Sequence, residues 1–71
     1  MKYTLKNREI EVKRMKGVNG GYFSTCYVDG KRVFSVNGRT QDECIGKEMV
    51  KLGEVEDNLF MSVDAIAKLC K

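Results

Sequence analysis

Few side chains here could do covalent chemistry. Cys26, Cys44 and Cys70 are the only thiols, and the chain of 71 residues has no histidine. A cysteine nucleophile acts as the thiolate beside a base, usually an imidazole. Cys44 falls near the expected start of a helix, where the dipole can lower a thiol pKa, but the usual base is missing. Three scattered thiols without a Cys-x-x-Cys pair do not make a zinc site. Their odd number argues against a disulfide framework and for a reducing, cytoplasmic compartment. Glu54, Glu56 and Asp57 could hold a metal but read more simply as a solvated acidic loop. There is no Gly-x-Ser-x-Gly, phosphate-binding loop or dinucleotide fingerprint, and Gly20-Gly21 precedes a strand, without the helix dipole a phosphate cradle uses. No enzyme activity, cofactor, metal or small-molecule substrate is expected.

Charge is the stronger signal. The net charge is +3, yet residues 1–39 carry nine Lys/Arg against three acids, or +6, while residues 40–71 carry four Lys against seven acids, or −3. A split of that kind points to an anionic partner for the first half. No apolar run is long enough to span a bilayer and no signal peptide is visible, so no membrane partner is expected.

The elements that must position these charges belong to one domain, residues 1–71. Tyr3-Thr4-Leu5 and Ile10 to Lys13 alternate apolar and polar as half-buried strands do, with a turn at Lys6 to Glu9 and a strand over 9–16. Gly17 to Gly21 is a permissive loop. The stretch 22–36 is a hairpin closed by Asp29-Gly30, a favoured pair for a type I′ turn. That turn sets Val28 opposite Lys31, Cys26 opposite Val33, Ser24 opposite Ser35, Thr25 opposite Phe34 and Phe23 opposite Val36. The face with the larger apolar groups, bearing Phe23, Thr25, Tyr27, Arg32, Phe34 and Val36, is expected to form the core.

Thr40-Gln41-Asp42-Glu43 has the form of a capping box at a helix start. From Gln41 to Leu52 the apolar arc is Ile45, Gly46, Met49, Val50 and Leu52, with Gly46 expected to admit a sheet aromatic and Gly53 to stop the helix. Ser62 caps a second short helix whose stripe is Val63, Ile66, Ala67 and Cys70, with Met61 and Ile66 spaced as a staple. The expected fold class is α+β: a three- or four-stranded antiparallel sheet packed on one helix, followed by a short C-terminal helix.

The run Tyr22 to Phe34, with its Asp-Gly-Lys-Arg turn, followed by Gly38-Arg39-Thr40 and the helix start Gln41-Asp42-Glu43, resembles the N-terminal arm-type DNA-binding domain of phage and transposon integrases. The resemblance covers residues 9–52 and implies a three-stranded sheet laid in the major groove. The order of strands and helix entry is also similar to HicB-type antitoxins, and Leu59 to Lys71 looks like the first helix of a helix-turn-helix.

Two functional readings follow. The first is a non-enzymatic module from a phage or mobile element, binding nucleic acid, DNA in particular, through its basic sheet. Tyr22, Ser24, Lys31 and Ser35 would meet the ligand on the non-core face, with Lys13, Arg14, Lys16, Arg32 and Arg39 on phosphates. The second is a protein-binding inhibitor or accessory factor, acting through the apolar patch Tyr22, Cys26, Val28 and Val33. That patch could also be covered by the last helix or by a homodimer contact.

Overall fold

A computed structural model describes residues 1–70. Four strands run in sequence order as an antiparallel meander: β1 (Lys2–Leu5), β2 (Arg8–Lys16), β3 (Tyr22–Val28) and β4 (Lys31–Gly38). Helices α1 (Gln41–Asp57) and α2 (Val63–Leu69) follow and both pack on the sheet, giving an α+β fold. Two-residue turns close the outer hairpins. Lys6 and Asn7 have φ of 51° and 63°, and Asp29 and Gly30 have φ of 52° and 85°, the positive values that type I′ turns require. Asp29 does more than turn the chain. Its carboxylate accepts from Arg8 Nε at 2.6 Å and from the Glu9 amide at 3.1 Å, while Arg8 Nη1 reaches the Leu59 and Met61 carbonyls at 2.8 and 3.1 Å. One guanidinium thus ties both hairpins to the segment between the helices.

The turn-derived register holds only next to the turn. Val28 faces Lys31 and Tyr27 faces Arg32, but Cys26 then pairs with Phe34, Thr25 with Ser35 and Ser24 with Val36. Val33 is the extra residue of a β-bulge, so Val33 and Phe34 are both buried. The expected face assignment is also corrected. The helices cover Ser24, Cys26 and Val28 of β3 together with Ile10 and Val12 of β2, whereas Phe23 is 43% exposed. Phe34 and Val36 do face the helices as expected; Phe23, Thr25, Tyr27 and Arg32 do not. The bulge accounts for the mixture, because one added residue moves the rest of β4 to the other side of the register.

Glu48 accounts for the choice of face. It is 1% exposed in the middle of α1, and its carboxylate accepts Arg14 Nε at 2.8 Å, Arg14 Nη2 at 2.6 Å and the Ser24 hydroxyl. A buried carboxylate without such partners would be expelled or protonated. The Arg14 hydrogen bonds hold its pKa below the ordinary glutamate value despite burial, and Ser24 adds to the effect. The serine that looks outward in the sequence is therefore inside, where it completes the shell of a charge.

The packing stripe of α1 is Cys44, Glu48 and Val55 with Leu52 partly buried, while Met49 and Val50, expected in the apolar arc, are exposed. No atom would touch a Cβ at Gly46, so no aromatic approaches there. The close approach is at Gly38, where a Cβ would lie 2.7 Å from the Cys44 amide nitrogen. Gly53 does not end the helix. It runs to Asp57 and is capped by Asn58, whose Nδ2 donates to the Glu54 carbonyl at 2.7 Å, so the expected acidic loop is its last turn. At the other end Thr40 Oγ1 accepts from the Glu43 amide at 3.1 Å, and the Glu43 carboxylate accepts from the Arg39 amide at 3.1 Å, one residue earlier than the expected box. Ser62 Oγ accepts from Ala65 N at 3.2 Å to start α2, whose Ile66 and Cys70 join the core with Val63, Ala67 and Met61 packed around them. Lys51 Nζ donates to the Cys70 carbonyl at 2.9 Å and links the helices. Among the described residues no helix is long and apolar enough to cross a membrane.

Two expectations test this packing. Gly38→Ala should lower the unfolding free energy by about 1–3 kcal/mol, the usual range for overpacking. Gly46→Ala, with open space around it, should raise stability by up to about 1 kcal/mol. Urea denaturation of the two variants checks both signs.

The Glu48 pKa supplies a pH test. Its folded value lies below the unfolded one of about 4.3, so its contribution is complete above that pH and is lost as pH falls through the folded value. Stability should decline below about pH 4.5. Glu48→Gln should cost about 1–3 kcal/mol at neutral pH and flatten that decline, leaving the part due to Asp29 and Glu43, whose pKa values are also lowered. An unchanged acid limb in Glu48→Gln would show that Glu48 is not the titrating group.

Candidate nucleic-acid interface

With both helices on one side of the sheet, the other side is uncovered. The registers place three rows across it: Met15, Phe23 and Asn37; Lys13, Thr25 and Ser35; and Glu11, Tyr27 and Arg32. Lys2 and Thr4, opposite Glu11 and Glu9 of β2, continue the face onto β1. These residues stand outward because alternate positions of β2 and β3 are anchored inward by Ile10, Val12, Cys26 and Val28. The face is not uniformly polar: Met15 is 65% exposed beside Phe23.

Local contacts arrange the face. Gly17 leaves room for the Phe23 ring, since a Cβ there would fall 2.5 Å from a ring carbon. Thr25 Oγ1 and Ser35 Oγ share a hydrogen bond of 3.3 Å. Lys13 Nζ lies 5.3 Å from the Tyr27 ring centroid, a cation–π distance. The acids cluster on the β1 side, where Glu9 pairs with Lys2 at 3.3 Å. Lys13 of β2 and Arg32 of β4 flank the aromatics of β3, with Glu11 at the β2 end of the Tyr27 row. Beyond Phe23 and Asn37 the face runs into a cleft of about 470 Å³ between the glycine loop and the start of α1, lined by Tyr22, Asn37, Arg39, Glu43 and Lys47 among others.

The cations divide into two groups. Lys2, Arg8, Arg14, Lys31, Lys47 and Lys51 are held in ion pairs, Lys31 by Asp64 at 3.0 Å. Lys47 Nζ also donates to the Asn37 carbonyl of the outer strand at 3.0 Å. Among the described residues Lys6, Lys13, Lys16, Arg32, Arg39 and Lys68 are in no ion pair. Lys16 lies 6.0 Å from the Tyr22 ring at the end of the sheet.

No family model, curated protein or solved structure matches this chain.

Of the residues singled out from sequence, the structure gathers Lys13, Arg32 and Ser35 on the open face and puts Arg39 and Tyr22 in the cleft at its end. Ser24 is a correction: it is fully buried on Glu48 and can touch no ligand. Arg14 is taken up by the same carboxylate, and Lys31 turns toward α2. The patch assigned to a protein partner is likewise covered, since Cys26, Val28 and Val33 lie under the helices. Sequence reasoning missed Phe23, Thr25, Tyr27, Met15 and Asn37. The available signal was in β2, where Ile10 and Val12 pair with Val28 and Cys26 and not with aromatics.

All three thiols are buried. Burial pushes Cys26 up to about 12, and burial with the neighbouring Glu48 carboxylate raises Cys44, so the packing role outweighs the lowering a helix start can give. No cluster of three metal-ligating groups occurs among the described residues. Glu54 faces Lys51 at 4.0 Å, and Glu56 accepts from the Tyr3 hydroxyl at 3.1 Å.

The orientation of the sheet is checked by paired truncations. Ile10→Ala should cost about 2–5 kcal/mol as a buried large-to-small change. Tyr27→Ala, on the open face, should stay within about 1 kcal/mol of the parent. Comparable losses at both sites in guanidinium denaturation would mean that both faces are covered.

Proposed function

We propose that this chain is a small non-enzymatic binding module that takes nucleic acid on the open face of its sheet. The observation that carries the reading is the uncovered sheet surface around β3, where Phe23 and Tyr27 stand beside Lys13 and Arg32, cations held in no ion pair among the described residues. Phosphates supply the missing counter-charge, aromatic side chains supply contact area for bases, and Thr25, Ser35 and Asn37 supply hydrogen bonds. The likeness to arm-type integrase domains agrees with a sheet as the binding element and with a phage or mobile element as the source. It differs in the face used, because Tyr22, Ser24 and Lys31 lie on the helix side.

A protein target is the second reading, for an inhibitor or accessory factor. It draws on exposed Met15 and Phe23 on the sheet and on exposed Met49, Val50 and Phe60 on the helical side. Fewer features of the open face then find a purpose, since the unpaired cations need no protein to be soluble.

Salt dependence tests the first reading. Affinity for labelled oligonucleotides should fall linearly with salt on logarithmic axes. Lys13→Gln and Arg32→Gln should each reduce the slope by about 1. Lys31→Gln, whose parent side chain is paired with Asp64, should leave it unchanged. Absence of binding at low salt to both single and double strands would refute the reading.

A further inference from the structure

Phe23 and Tyr27 occupy the same face of β3 four residues apart, a separation of about 13 Å at the rise of an antiparallel strand. Thr25 lies between them with its hydroxyl shared with Ser35, and Asn37 flanks Phe23. In a duplex the bases are stacked about 3.4 Å apart along each strand, so their faces are already covered and an aromatic side chain finds none to stack on. The sheet also has the wrong breadth for a groove. Three inter-strand gaps span about 14 Å before side chains are counted, against a major groove about 12 Å wide. A duplex pressed on the whole face would bring its phosphates against Glu9 and Glu11 on the β1 side. Unpaired bases can be splayed apart and laid on aromatic rings.

We propose that the face takes single-stranded nucleic acid, with two unpaired bases stacked on Phe23 and Tyr27 and the backbone followed by Lys13, Arg32 and Arg39. This rests on the sheet-face reading above and narrows its ligand to unpaired strands. Lys13 is already poised over the Tyr27 ring, Arg32 is the cross-strand partner of Tyr27, and Arg39 lines the cleft into which the face opens past Phe23. The acids Glu9 and Glu11 turn the strand toward β3 and β4, with Lys13 at its β2 border. The hydroxyls and the Asn37 amide between and beside the two rings meet base edges without demanding one sequence.

Fluorescence anisotropy at low salt tests the proposal with three labelled probes of one mixed sequence: a DNA strand, an RNA strand and the DNA duplex. At least one single strand should bind roughly tenfold or more tighter than the duplex, and the DNA and RNA arms distinguish the two sources of unpaired bases. Phe23→Ala and Tyr27→Ala should each weaken strand binding by about 5- to 150-fold, the equivalent of one lost stacked base. Phe23→Leu and Tyr27→Leu, which keep apolar bulk without a ring, should weaken it similarly, and Tyr27→Phe should bind as the parent does. Far-UV circular dichroism establishes that each variant is folded. A duplex bound as tightly as the strands, or leucine variants that bind normally, would overturn the stacking proposal and leave the sheet-face reading intact. No binding of any probe would defeat both.

Discussion

The carboxylate of Glu48 is the constraint on which the arrangement of the sheet depends. An ionised side chain in the middle of α1 can be buried only if the sheet brings it donors, and Arg14 and Ser24 are those donors. Both belong to the same side of β2 and β3, paired with each other across the strands. Bringing them over α1 brings Ile10, Val12, Cys26 and Val28 with them, since alternate residues share a face. Phe23, Thr25 and Tyr27 are turned out by the same geometry. A polar contact inside the molecule thus decides which residues remain outside it.

The bulge at Val33 is the second half of that arrangement. Without it, the face carrying Cys26 and Val28 would meet Ser35 on β4 and lack bulk; with it, Val33, Phe34 and Val36 all contribute to the core. The face left open keeps Arg32 beside Tyr27 and gains Ser35 beside Thr25. Packing and the open surface are consequently products of one register shift.

Much of the architecture was legible in the chain: an antiparallel sheet of three or four strands, the type I′ turn at Asp29-Gly30, the Thr40 and Ser62 caps and the apolar stripe of α2 all follow from local rules that tertiary context did not override. The orientation of the central hairpin was not legible, because both its faces carry apolar groups and size alone favoured the wrong one. Ser24 and Glu48 each look solvent-facing when considered separately, and only their pairing makes them interior. The bulge is equally silent, since no glycine or proline marks Val33. Gly46 and Gly53 misled for the opposite reason: both are tolerated in α1 with open space where a Cβ would stand. Charge asymmetry found the cation-rich half of the chain, but not which of its cations lie outside ion pairs; that required the carboxylates that neutralise Arg8, Arg14 and Lys31.

The division of labour among the cations leads to the most direct measurement. Chemical-shift mapping of the isotope-labelled protein, titrated with an unlabelled oligonucleotide, reports the contact surface residue by residue without altering the chain. Shifts centred on the amides of Lys13, Phe23, Thr25, Tyr27, Arg32 and Ser35, with those of Ile66 and Val55 unmoved, are the expected result. Shifts centred on the outer surface of the helices, around Met49, Val50 and Phe60, would contradict the assignment of the open sheet face as the working surface.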